Sequence, residues 1–447
     1  MRKFLSRREA IKFIGTGAST ICLLPLINTS CSHEKRPNII FMTVDNLGRE
    51  SVGYYGQHIY KTPRMDKLAS EGVVFENCLI ATPLCGPARC AWNTGRHPYR
   101  VGLNSQPKPN DPNSGLSTKE ETIAKVLKKS GYRTALFGKW NLGYDKKFNP
   151  LNHGFDVYYG STAGHADYYT HFYNSSNRKH FYRDKTPVDD KGYFDQLFTD
   201  EAIKYIKKHK NSRAPFYLNL CFYAPHGPYQ APPGYYHSND PLKNYQYMIE
   251  YLDYCVGRVV DTVDQLGMSE NTLLVFLSDQ GASTANDYDR DLAEGGLKVI
   301  CNARWKGHIP AGKRVRTPWM HLDLFHTFAF TAKAEVPTDR GYDGQNIWPL
   351  FEGRELDYNR TLCWTYRDED AIRVGDWKLR WKTDKMIGLF DLSNDPEEKN
   401  DLSAKYPDKV KNMQMVHAKW KTECEKSQTS TNNSGESYHI KDHNNSY

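Results

Sequence analysis

Four stretches of this chain are apolar over the length of a strand and then stop abruptly in polar residues. Asn38-Ile39-Ile40-Phe41-Met42-Thr43-Val44 runs into Asp45-Asn46-Leu47-Gly48, and Arg133 to Phe137 runs into Gly138-Lys139-Trp140-Asn141. Pro215 to Phe222 runs into Tyr223-Ala224-Pro225-His226-Gly227-Pro228, and Thr272 to Ser278 into Asp279-Gln280-Gly281. An apolar run without alternation is what a strand shows when both faces of its sheet are covered, as in a parallel sheet with helices on either side. Helical patterns lie between the runs. Thr62-Pro63 opens one that passes through Leu68 and Ala69 and stops at Gly72, ahead of the short apolar run Val73-Val74-Phe75. Thr118-Lys119-Glu120-Glu121 has the spacing of a capping box before the stripe Ile123, Val126, Leu127, with Gly131 as the stop. Met248, Tyr251, Leu252, Val256 and Val259 mark another helix, and Leu322 to Phe330 one more. The alternation predicts an α/β fold built on a large mixed, mostly parallel sheet flanked by helices. In an open sheet of this kind ligands bind outside the C-terminal ends of the strands, so Asp45, Lys139, His226 and Asp279 are expected to converge on one site. A single Asp after a strand is ordinarily the cap of the next helix; four polar endings in succession strain that explanation.

The pattern changes near Gly344 to Gly353. Short β-like pieces follow at Thr361 to Tyr366, Ala371 to Arg373, Trp377 to Trp381 and Leu389 to Leu392, then the turn Ser393-Asn394-Asp395-Pro396 and a closing helix over Asp408 to Thr422. Tandem strands with one helix predict a small C-terminal antiparallel α+β domain. The expected organisation is a leader over 1–31, a catalytic domain over 36–345, a C-terminal subdomain over 346–426 and a Ser, Thr and Asn-rich disordered tail over 427–447. Gly154 to Tyr173 is aromatic and His-rich without a clear period, with His165, Tyr168, Tyr169, His171, Phe172 and Tyr173 in close succession. It reads as a long loop that forms either a substrate wall, with His165 as a substrate-binding residue, or disordered surface.

Composition adds bounds rather than a function. The formal charge is +8 over 447 residues, but the first thirty hold five cations against one acid, leaving about +4 for the rest. That mild excess tolerates an anionic substrate, and no basic run interleaved with aromatics points to nucleic acid. Ser6-Arg7-Arg8-Glu9-Ala10-Ile11-Lys12 resembles a twin-arginine export motif. It is followed by the 15-residue apolar segment Phe13 to Ile27, too short and too rich in Gly, Ser and Thr for a membrane span. The segment reads as an export signal, placing the protein in a bacterial periplasm or, with Cys31 as a lipid anchor, on the cell surface. Asn28 stands where a lipobox prefers an aliphatic residue. The ten cysteines form neither metal-ligand pairs nor a disulfide framework, which leaves most of them as buried thiols.

Chemistry concentrates in Cys85-Gly86-Pro87-Ala88-Arg89-Cys90-Ala91-Trp92-Asn93-Thr94-Gly95-Arg96. Pro87 suits the first turn of a helix and Gly95 the residue just past its end, so Cys85 falls at the mouth of a short helix, with Arg89 one turn further on. Unpaired N–H groups, the positive end of the macrodipole and a fixed cation then face whatever binds beside the sulfur. The dozen residues resemble the sulfatase signature, Cys-x-Pro-Ser/Ala-Arg followed by Thr-Gly-Arg, in which the cysteine is oxidised after translation to formylglycine. With the strand endings, and with Val374-Gly375-Asp376-Trp377-Lys378-Leu379 and Leu389-Phe390-Asp391-Leu392 near the C-terminus, the chain resembles a sulfatase of the alkaline-phosphatase-like superfamily along almost its whole length after the leader.

The resemblance implies a role for each residue. Asp45, Asn46, Asp279 and Gln280 would hold a divalent cation, Ca2+ in most of the family, and modified Cys85 would complete its shell; carboxylate and amide oxygens suit a hard cation. Arg89 would steady the formylglycine, while Lys139 and His226 would hold the sulfate ester, His226 also serving as the acid for the departing alcohol. The hydrated aldehyde would supply an oxygen nucleophile to sulfur and a second hydroxyl to expel sulfate. Asn141 and Arg290 join His165 as expected substrate contacts. Three positions depart from the family pattern. Asn46 stands where a second Asp is usual, Asn141 where a His is usual, and Asp289 where the family's sulfate-binding Lys stands, with Arg290 beside it to substitute. The expected partners are a formylglycine-generating maturase and a sulfated carbohydrate, such as a glycosaminoglycan fragment. The alternatives are a phosphate or phosphonate monoester hydrolase, or a catalytically weak homologue that binds sulfated glycans.

Overall fold

The structure, a computed structural model, describes residues 36–173, 178–281, 291–357 and 360–429. The leader with Cys31, the Asp289-Arg290 pair and the tail beyond residue 429 lie outside the described residues. From Arg36 onward the chain is one compact unit. Its centre is a ten-stranded sheet in the order Lys313–Val315, Val73–Phe75, Cys301–Arg304, Thr272–Ser278, Asn38–Val44, Phe216–Cys221, Arg133–Lys139, Val157–Ser161, Phe181–Arg183, Thr186–Pro187. The five strands from Thr272–Ser278 to Val157–Ser161 are mutually parallel, while Cys301–Arg304 and Phe181–Arg183 run antiparallel beside them.

The apolar runs behave as strands buried on both faces should. In Asn38–Val44, Ile39 and Phe41 enter one core with Trp92, Leu127 and Phe328, while Ile40, Met42 and Val44 enter another with Leu68, Phe198 and Met248. Helices Cys85–Thr94, Ile123–Lys129 and Leu324–Thr331 cover the first face, and Pro63–Ser70, Phe194–His209 and Pro241–Gln265 the second. Register sets the strand ends level. Val44 pairs with Ser278, so Asp45 and Asp279 leave the sheet side by side, and Gly138, pairing with Cys221, puts Lys139 level with the exit of the next strand. Gly138 has φ 108°, and a Cβ there would lie 1.8 Å from the Cys221 carbonyl oxygen, so only glycine lets these strands close up just before Lys139.

Two expectations need correction and a third is extended. The helix after Gly115 is capped by Thr122 rather than Thr118: the Thr122 hydroxyl accepts from Lys125 N at 3.2 Å. No capping box forms, because Glu120 is drawn inward to pair with Arg96 and Glu121 pairs with Lys129 on the surface. The aromatic stretch after Gly154 is not all loop; Val157–Ser161 is a strand of the large sheet, its Val-Tyr-Tyr start being well suited to a half-enclosed pleat. The helix read around Met248 to Val259 extends from Pro241 to Gln265, with Asp240 as its cap.

The C-terminal strands Thr361–Tyr366, Glu369–Val374, Trp377–Lys382 and Met386–Asp391 form a four-stranded antiparallel meander, covered by helix Pro407–Lys426. One face holds Cys363, Ile372, Leu379 and Leu389 against Met413 of that helix; the other sends Leu362, Trp364 and Ala371 into the core of the large sheet. All eight described cysteines are buried free thiols.

A buried ion network ties the meander to the segment that follows the strand ending at Ser278. Glu294 pairs with Lys378 at 3.1 Å, Arg373 at 3.0 Å and Lys298 at 3.1 Å. Lys378 also reaches Glu398 at 2.7 Å, and Arg380 joins Glu398, Glu369 and Asp291. Burial pushes the Glu294 carboxyl up, but Lys378, Arg373 and Lys298 outweigh it and hold it at about 2. Its charge therefore contributes stability that is complete above pH 4.5 and is lost as pH falls through about 2. Replacing Lys378 by methionine leaves Glu294 and Glu398 short of a cation and is expected to cost about 3–5 kcal/mol. The check is chemical denaturation at pH 7, with the deficit narrowing as Glu294 protonates toward pH 2.

Candidate active site

Cys85 opens helix Cys85–Thr94, every residue of which is buried. Pro87 sits in the first turn, where its missing N–H is no loss, and Gly95 ends the helix in the left-handed region at φ 66°, donating to Ala91 O at 2.9 Å. Helical spacing puts Arg89 one turn behind Cys85. Around the thiol, the Asp45 Oδ1 lies 3.5 Å from Sγ and the Gln280 Nε2 donates to Sγ at 3.1 Å. Arg89 donates to Asp279 Oδ2 at 2.8 Å and to the Lys139 carbonyl at 3.0 Å, Lys139 Nζ donates to Asp45 Oδ2, and Gln280 donates to Asn46 Oδ1. Asn46 N in turn donates to Asp279 Oδ1 at 3.2 Å. Three of the four strand endings and the helix mouth thus meet in one linked, buried cluster, and His226, from the fourth, stands beside it.

Its electrostatics follow from burial. Burial first, then the neighbouring Asp45 charge, push the Cys85 thiol up to about 12, so as a plain thiol it is a poor nucleophile at neutral pH. Burial and the charge of Asp45 likewise raise Asp279, against which Arg89 and Lys139 act. Two carboxylates drawn together away from the surface repel, and a cation relieves them. The donor set fits a hard cation: Asp45, Asn46, Asp279 and Gln280 carry carboxylate or amide oxygens and are at most 4 % exposed. Ligand atoms of Asp45, Cys85 and His226 also lie within 4.8 Å of one another.

The remaining expected residues line up outward from this cluster. His226 is half-buried, its Nδ1 hydrogen-bonded to Gly227 O at 2.6 Å, which makes Nδ1 the protonated nitrogen of the neutral ring and leaves Nε2 open. Burial first and Lys139 next push the ring down to about 3, so it is neutral in the free protein. His165 stacks on it, with ring centroids 5.9 Å apart and planes at 14°, and touches Tyr173 at 5.0 Å. Asn141 is buried, with φ 54°, a left-handed conformation that Asn tolerates, as Asn46 does at φ 66°. Its Nδ2 donates to Gln106 Oε1 at 3.1 Å, and the same oxygen accepts from Gly86 N at 3.2 Å. Arg290 falls outside the described residues. Gln106 is thus a site neighbour that the sequence did not announce: Asn104-Ser105-Gln106-Pro107 carries no periodicity and no motif. Tyr144, whose hydroxyl accepts from Gly164 N at 3.3 Å and whose ring meets Tyr173 and His180, was missed for the same reason.

The family model described as Sulfatase matches residues 37–334. Human N-acetylgalactosamine-6-sulfatase is 30% identical over 351 residues, which is 72% of this chain and 67% of that one. Mouse arylsulfatase J is 30% identical over 453 residues, covering 85% of this chain and 74% of that one. Among solved structures, Ps i-CgsB in complex with k-i-k-neocarrahexaose superposes with a TM-score of 0.80 at 30% identity, over 88% of this chain and 94% of that one.

Proposed function

The chain belongs to the sulfatase family, and from that premise we propose that it releases sulfate from a sulfated carbohydrate through a formylglycine made from Cys85. It is a sulfuric-ester hydrolase of α/β architecture. The carbohydrate assignment is supported by the similarity to an N-acetylgalactosamine-6-sulfatase and to a structure in complex with a neocarrahexaose, and by the ring of His165, which stands beside His226 and leads on to Tyr173 and Tyr144. The single observation that carries the mechanism is the position of Cys85. It stands at the mouth of its helix within reach of Asp45 and Gln280, while a buried thiol pushed up to about 12 gives no thiolate for direct attack.

Formylglycine, once hydrated, would supply an oxygen nucleophile and a second hydroxyl for sulfate release, and Ca2+, which Asp45, Asn46, Asp279 and Gln280 would hold, would supply charge that acidifies that nucleophile. The chain's own groups do the rest. Arg89 holds Asp279 and the Lys139 carbonyl in place beside residue 85. Lys139 presents a cation toward an incoming sulfate. Burial first and the Lys139 cation second hold the free His226 ring down; the sulfate ester's negative charge offsets the Lys139 part, which favours a proton on His226 for the departing sugar oxygen. Asn141, tied to Gln106, offers a hydrogen bond but no proton to the substrate. The test is sulfate release by maturase-coexpressed protein from a panel of sulfated saccharides, run beside an aryl phosphate. Faster turnover of the phosphate would favour a phosphate monoester hydrolase, and binding without turnover a glycan-binding homologue.

Calcium binding has a readout besides activity. Ligand bound only to the folded state stabilises it by about 2.7 kcal/mol at a hundredfold excess over Kd. Adding Ca2+ to chelator-treated protein is therefore expected to raise Tm, and Asp45→Ala, which removes the oxygen donor, to abolish that rise. Export is proposed from the twin-arginine leader, and cell fractionation checks it. Among the described residues no helix is long and apolar enough to cross a membrane.

A further inference from the structure

The turn that delivers His226 is held from behind by one buried carboxylate. Asp195 lies in the first turn of helix Phe194–His209 and is fully buried. Its two oxygens take two consecutive backbone N–H groups: Tyr223 N donates to Oδ1 at 2.8 Å and Ala224 N to Oδ2 at 3.1 Å. The same Ala224 gives its carbonyl to the backbone N–H of Asp45 at 3.3 Å. His226 N donates to Tyr223 O at 3.0 Å, and the His226 carbonyl accepts from the Tyr168 hydroxyl at 2.7 Å. Asp195 therefore grips a short turn that carries the His226 ring at one end and is bonded to the Asp45 backbone along its side.

The grip is chemically expensive. Burial first, helped by the Asp45 charge, pushes the Asp195 carboxyl up to about 7 against the pull of the two N–H groups, and no cation among the described residues acts on it. A buried carboxylate balanced by backbone amides alone costs stability relative to an apolar side chain of its size. What the arrangement delivers is geometry: two fixed acceptors, one per amide, leave the turn a single register. Phe194 reinforces it by stacking on the Tyr223 ring, with centroids 5.1 Å apart and planes at 16°.

We propose that Asp195 is a positioning residue for the reaction, fixing the Tyr223–His226 turn so that the His226 imidazole stays beside Asp45 and Cys85. It acts through that ring and does not touch substrate. This rests on the reading of His226 as proton donor to the departing alcohol. Asp195→Asn keeps the shape but turns one acceptor into an N–H that faces another N–H, so the turn must shift. A displaced proton donor matters most for the poorest leaving groups. A donor that is merely absent from some molecules, because they are unfolded, lowers all rates by one factor.

The experiment measures kcat/KM for 4-nitrophenyl, 4-chlorophenyl and phenyl sulfate with matured wild type, Asp195→Asn, His226→Ala and the double variant. Asp195→Asn is expected to lose roughly tenfold on 4-nitrophenyl sulfate and about a hundredfold on phenyl sulfate, within the range general acid catalysis contributes. On the His226→Ala background it is expected to add no graded loss. A flat loss, or none, for Asp195→Asn while His226→Ala shows the graded one overturns the role of Asp195. A flat loss for His226→Ala overturns the proton-donor reading itself, and the role of Asp195 with it. If Asp195→Asn does not accumulate as folded protein, Asp195→Ser, which keeps one acceptor in less volume, is read by the same ratios.

Discussion

Alanine at position 85 is expected to abolish sulfate release, with kcat/KM falling about 10⁴-fold or more and no recovery on added Ca2+, because a covalent catalyst that loses its nucleophile retains only the binding and electrostatic contributions of its site. The substitution is conservative for the fold. Cys85 is the first residue of its helix, a single sulfur atom is removed, and the thiol's contacts are a long one to Asp45 Oδ1 at 3.5 Å and one from Gln280 at 3.1 Å. Thermal unfolding within a few degrees of wild type would separate lost chemistry from lost structure. Serine at the same position is the sharper comparison: it keeps a nucleophilic oxygen but has no second hydroxyl with which to expel sulfate. Turnover of Cys85→Ser at the wild-type rate, or an unoxidised thiol at Cys85 in fully active protein by peptide mass, would sink the formylglycine mechanism.

Removal of Arg89 is expected to be the most damaging change elsewhere in the site, and to damage stability and rate separately. The guanidinium is 1 % exposed, donates to Asp279 at 2.8 Å and supports the Lys139 carbonyl at 3.0 Å. Arg89→Met fills much of the same space yet leaves Asp279 buried beside Asp45 with its cation gone, which is expected to cost about 3–5 kcal/mol. Adding Asp279→Asn removes the stranded charge and should restore most of that stability, since the pair is coupled and its single losses do not add. Activity should not return, because the double variant has lost both the residue that steadies position 85 and a proposed metal ligand. Denaturation midpoints and sulfate release on the same four proteins give the cycle. Recovery of both together would mean that Arg89 is structural only.

Much of the fold was legible because burial on both faces leaves a direct mark on sequence. Thr272–Ser278 and Asn38–Val44 were delimited to the residue, since an apolar run of that length flanked by polar residues is long enough for a buried strand and short for a helix. Local signals misled where a distant partner outbid them. Thr118 and Glu121 have the spacing of a cap, but Arg96 draws Glu120 inward and the helix starts at Thr122. The aromatic density after Gly154 read as a loop, although Val157–Ser161 only needed the neighbouring strand Arg133–Lys139 to become part of the sheet.

The site divides along the same line. Which residues can do chemistry was written in the chain: Cys85 with Pro87 and Gly95 bracketing its helix, and polar residues at four strand ends, because helix termini and strand exits leave local signatures. How those residues are paired was decided by tertiary structure alone. Arg89 with Asp279, Lys139 with Asp45, Gln106 between Gly86 and Asn141, and Asp195 behind His226 join residues 20 to 190 positions apart. Nothing local selects such partners; they meet because strand register brings the exits level and burial then favours a complement for each charge and amide.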